Sequence, residues 1–69
     1  MSIVKTKAFL MSRNPLAVAA DVRRWQNCTA AYVAKDGRIR ISNAGAGRWL
    51  THVELMTFAK WLRQMAGAD

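Results

Sequence analysis

The chain is poor in the residues that carry out chemistry. Its one cysteine, Cys28, allows no intramolecular disulfide, and its one histidine, His52, allows no Cys/His cluster for a metal. Acidic side chains are scarce as well: Asp21, Asp36, Glu54 and Asp69 are the whole set. General acid–base or nucleophilic catalysis needs at least two suitable groups that converge. Asp36 is claimed by a turn and Glu54 by a helix cap, and no third group is evident to orient a Cys28–His52 pair. The composition therefore points away from an enzyme and implies no cofactor. Long apolar runs are missing too. Residues 1–15 hold only the run Ala8–Met11 after two lysines, too short for a signal segment. Nothing approaches the ~18 apolar residues of a membrane span. With a lone cysteine, the expected location is the reducing cytoplasm, with no membrane partner.

What the chain has in quantity is positive charge and apolar surface. Eleven Lys+Arg against four Asp+Glu give a net charge of +7 and an isoelectric point near 10.9. Seven of the cations are arginine, whose planar guanidinium suits bidentate contact with phosphate or carboxylate. That balance fits nucleic acid or an acidic protein surface. It also keeps an apolar small protein in solution. Apolar residues make up 52% of the chain, with three Trp, two Phe and four Met. At 69 residues the whole chain, 1–69, is expected to form one small basic domain. A chain this short buries only about 60% of its unfolded surface. Without disulfide or metal it must rely on an efficient core, or on a homodimer or partner interface.

Residues 3–11, "IVKTKAFLM", read as a strand, although Ile3, Val4, Phe9 and Leu10 also fit a short helix and periodicity does not arbitrate. The only proline then marks a helix start. Asn14 is a good N-cap and Pro15 suits the first helical position. This helix should run from about 15 to 26 with Val18, Val22 and Trp25 on its buried stripe, and Asn27 should end it. Residues 29–42 read as a hairpin around Asp36-Gly37. A two-residue turn would pair Val33 with Arg40. A three-residue loop, Lys35 to Gly37, pairs Val33 with Ile39 and Tyr32 with Arg40, and so matches apolar with apolar; it is the preferred register. Residues 42–48, "SNAGAGR", read as the least structured stretch, with Trp49-Leu50 as a short extra strand. A capping box, Thr51 with Glu54, then opens a helix over about 52–66, flanked by a Leu50/Leu55 staple and ended by Gly67. Leu55, Phe58, Ala59, Leu62 and Met65 should face the core. The sum is an α+β domain of order β-α-β-β-α, an antiparallel sheet packed against two helices. Over about residues 30–64 the order of a hairpin followed by a capped helix resembles the small sheet-type DNA-binding domains of integrases.

Three places could bind a partner. The preferred register puts Tyr32, Arg38 and Arg40 on one exposed sheet face beside Lys35, combining cations for phosphate with a ring for base stacking. The helical face His52, Met56, Lys60 and Arg63 is cationic with an apolar residue set into it. Arg48, in a glycine-containing loop before a helix N-terminus, could add one phosphate contact, although the P-loop ending is absent. Trp25, Trp49 and Trp61 are expected in or beside the core; one exposed next to the arginines would become an interface anchor. The first functional expectation is a nucleic-acid-binding regulator or accessory protein. The second is a protein-interaction module of the kind phages and mobile elements use to inhibit or redirect a host complex.

Overall fold

The computed structural model describes residues 2–65. Six elements follow in order: α1 (Ile3–Met11), α2 (Pro15–Gln26), β1 (Ala30–Val33), β2 (Ile39–Asn43), β3 (Ala46–Trp49) and α3 (His52–Met65). The three strands form one antiparallel sheet in the order β1-β2-β3. The class is α+β, as expected. The first element is not: residues 3–11 are a helix, so three helices rather than two accompany the sheet.

The reason lies in Thr6. Ser2 caps α1 by accepting a hydrogen bond from the Lys5 backbone N–H at 3.1 Å. The inward stripe is Ile3, Thr6 and Leu10, spaced as one helical face requires. Its middle position is a threonine, fully buried, so the apolar pattern is broken into the pairs Ile3-Val4 and Phe9-Leu10 that mimic a strand.

The second helix begins and ends where its caps dictate. Asn14 Oδ1 accepts from the Leu16 N–H at 2.9 Å, Pro15 occupies the first turn, and Asn27 adopts the left-handed conformation at φ 53°. The β1–β2 hairpin has the three-residue loop: Tyr32 pairs with Arg40 and Val33 with Ile39. The Ala34 N–H donates to the Arg38 carbonyl at 2.8 Å, and Gly37 takes φ 90°. Residues 42–48 are not a loose loop. Asn43 pairs with Ala46 across a two-residue turn, Ala44-Gly45, with φ of 52° and 89°. Two positive φ values in succession are the geometry that matches strand twist in a tight hairpin. Every residue of β3 is exposed, so no apolar alternation marks it in the sequence.

Thr51 and Glu54 form the expected capping box. The Thr51 N–H donates to Glu54 Oε1 at 2.9 Å, and the Glu54 N–H donates to Thr51 Oγ1 at 3.1 Å. Leu50 and Leu55 are both buried beside it. Leu55, Phe58, Ala59 and Leu62 face inward, whereas Met65 is exposed, a correction to the expected stripe. Leu62 closes the buried stripe, and Met65 lines an open cleft with Arg13, Asp21 and Arg24. The expected helix end at Ala66 and Gly67 lies outside the described residues.

Phe58 anchors the core. Its ring meets Trp25 at 5.3 Å and Trp61 at 6.0 Å between centroids, and both tryptophans are half-buried. Leu10 from α1, Val18 and Val22 from α2, and Ile39 and Ile41 from β2 complete the cluster. Each fully buried aliphatic or aromatic side chain contributes roughly 1.5–3 kcal/mol. Among the described residues no helix is long and apolar enough to cross a membrane.

Candidate nucleic-acid interface on the open face of the sheet

Strand β2 sends its side chains alternately inward and outward. Ile39 and Ile41 enter the core, so Arg40 must point to the opposite face, where it is exposed. The two pairings then fix its neighbours. Arg40 lies opposite Tyr32 on β1 and opposite Trp49 on β3, which makes one row across all three strands. Tyr32 is 59% exposed and Trp49 is 37% exposed.

Arg38, at the start of the row's next pleat, is held in place twice. Its backbone N–H donates to Asp36 Oδ1 at 3.1 Å, and its Nε donates to Asp36 Oδ2 at 2.8 Å. The Arg38 backbone bond, then the charges of Arg38 and Lys7, keep the Asp36 carboxyl below its ordinary value. Asp36 therefore stays ionised at neutral pH and anchors the guanidinium. That guanidinium lies 4.3 Å above the Trp49 ring centre, and Arg40's lies 5.7 Å from it. Arg40 can lie flat because Gly47 has no side chain. A Cβ there would stand 2.8 Å from Arg40 Nη2 and 3.2 Å from its Cζ. Among the described residues Arg40 makes no ion pair. Lys35 is exposed in the adjoining turn.

The structure thus gathers Tyr32, Lys35, Arg38 and Arg40 at one end of the sheet and adds Trp49. Trp49 is the tryptophan exposed beside the arginines; its place was hidden because the expected strand was only Trp49-Leu50 and had no pairing with β2. The remaining expected residues go elsewhere. Arg48 pairs with Ile41, which places it on the opposite face of the sheet from Trp49. There its Nη1 and Nη2 grip Glu54 Oε1 and Oε2 at 2.7 and 2.9 Å. These bonds, with the Thr51 N–H, lower the Glu54 carboxyl to about 2. Arg48 is a clip between β3 and the start of α3. His52, Met56, Lys60 and Arg63 lie on α3, in the helical layer. The Arg63 guanidinium sits 4.5 Å over the Phe9 ring of α1, so this stripe borders the α1–α3 seam. It also edges a shallow cleft with Val53 and Thr57. Its partners are helical, while those of Arg40 are the rings of the open sheet face.

Cys28 is half-buried against the core and its Sγ donates to the Ala30 carbonyl at 3.4 Å, whereas His52 is exposed at the first residue of α3. No group of three or more metal-ligating side chains occurs among the described residues. Compared with known protein families, curated proteins and solved structures, the chain matches none of them.

Proposed function

We propose that this is a small, non-catalytic, basic protein of the cytoplasm that binds nucleic acid through the open face of its sheet, as a regulator or accessory protein. The observation that carries the reading is the row Tyr32–Arg40–Trp49, with Arg38 laid over Trp49. It joins exposed rings to cations at one place, in a chain with a net charge of +7. Phosphate neutralisation supplies the affinity and rings supply contacts to bases. Fluorescence anisotropy with a labelled oligonucleotide tests it between about 50 and 200 mM salt. Engagement of Lys35, Arg38 and Arg40 with one phosphate each gives a slope of roughly −2 to −3 in log affinity against log salt. Absence of binding at low salt, or binding indifferent to salt, removes the proposal.

A second reading, a protein-interaction module, is favoured by the helical side. Val4, Leu16 and Val53 are 73%, 81% and 67% exposed there. A pull-down from nuclease-treated lysate separates the two. One stoichiometric protein partner supports the module, and loss of all material on nuclease treatment supports the nucleic-acid reading.

A further inference from the structure

We propose that the sheet face takes single-stranded nucleic acid, with unstacked bases lying on Tyr32 and on the Trp49–Arg38 pair and a phosphate held by Arg40 beside Trp49. The inference rests on the nucleic-acid reading above and narrows its substrate.

The argument begins with spacing. Adjacent strands lie about 4.8 Å apart, so the backbones that carry Tyr32 and Trp49, two strands apart, are separated by roughly 10 Å. Bases in a duplex rise only about 3.4 Å from one to the next along a strand. Two consecutive bases that reach both rings must therefore be drawn out of their stack. Ring faces point the same way. A duplex offers the edges of its bases in its grooves and keeps their faces covered, whereas a single strand exposes the faces that aromatic side chains need.

The cations are arranged to match. Arg38 is fixed by Asp36 through its backbone N–H and Nε, with its guanidinium over the Trp49 ring. Guanidinium planes and aromatic rings are alternative stacking surfaces for an unpaired base, and a guanidinium that stacks through its plane still donates to phosphate through its edge. Arg40 springs from β2 between the rings and lies flat across Gly47 on β3, with its charge unopposed by any carboxylate among the described residues. A backbone crossing the strands would thus meet the ring of Tyr32 on β1 and then the Arg40 guanidinium and Trp49 together on β3.

The probes are labelled oligothymidylate and oligouridylate of about 12 nucleotides, within the range of known single-strand sites, and a duplex of the same length. Either strand should bind more tightly than the duplex. Tyr32→Leu removes the outer ring from a position outside the core, so folding survives; strand affinity should fall roughly 5-fold or more. Tryptophan emission should change on adding oligothymidylate, and the change should vanish in Trp49→Leu. Equal or tighter binding of the duplex, or full strand affinity in Tyr32→Leu, overturns the inference. If salt-sensitive binding persists in those cases, the broader nucleic-acid reading stands. If no probe binds at low salt, both fall.

Discussion

Replacing Glu54 with glutamine should loosen the joint between the sheet and α3. Glu54 accepts three hydrogen bonds, two from Arg48 and one from the Thr51 N–H, at 2.7, 2.9 and 2.9 Å. Glutamine keeps a carbonyl for Thr51 but loses the charge that Arg48 grips. The Arg48 bonds and then the Thr51 N–H hold the carboxyl at about 2 against an ordinary 4.5. At 1.36 kcal/mol for each tenfold change in proton affinity, that difference sets a ceiling of roughly 3.4 kcal/mol. The side chains of Arg48 and Glu54 are 53% and 26% exposed, so solvent screens the pair. A cost of about 1–2 kcal/mol remains, in line with the loss of a helix cap. In a domain of this size each kcal/mol lowers the melting temperature by roughly 4–8 °C. The effect has a signed pH dependence. Folding lowers the Glu54 pKa, so its contribution is complete above about pH 4.5 and is lost as pH falls towards 2. Urea unfolding of both proteins, followed by tryptophan emission from pH 7 downwards, reads it directly. The gap should be widest near neutral pH and close near pH 2. Equal midpoints at pH 7, or a gap that stays constant to pH 2, would refute the reasoning.

Two glycines separate fold from function. Gly37→Ala places a side chain on a backbone at φ 90°, within 3.1 Å of Lys7 Cβ and Cγ and 3.2 Å of Met11 Sδ. It should cost at least about 1–2 kcal/mol in urea unfolding, from the left-handed backbone before any crowding of α1; an unchanged midpoint contradicts this. Gly47→Ala meets only the mobile end of Arg40, so stability should hold within about 0.5 kcal/mol. Oligonucleotide affinity should fall because Arg40 is lifted off the sheet; unchanged affinity would show that its flat placement is unimportant.

Much of this fold was legible where local chemistry is self-sufficient. Asn14-Pro15, Asn27 and Thr51/Glu54 each satisfy backbone groups within a few residues, and all act as their types require. The hairpin register followed from matching Val33 with Ile39, because a slip would have exposed the isoleucines. The two misread elements share a cause. Thr6 is buried without being apolar, and β3 is a strand without a buried side chain. Hydrophobic periodicity reports burial of apolar atoms, so it passes over both. The site inherited the second failure. Tyr32, Arg38 and Arg40 were legible from alternation alone, while Trp49 joins them only through the β2–β3 pairing. The Arg48–Glu54 bond was not legible, because it depends on that same pairing.

The central claim is that Arg38 and Arg40, set against Trp49 and Tyr32, contact phosphate. The most direct measurement is the salt dependence of oligonucleotide binding by the double variant Arg38→Gln/Arg40→Gln beside the parent chain. Both arginines are exposed and outside the core, so the melting temperature should stay close to the parent's. If each contacts one phosphate of a single strand, affinity falls and the salt slope shrinks by roughly 1.4. A folded variant that keeps the parent's affinity and slope would contradict the account.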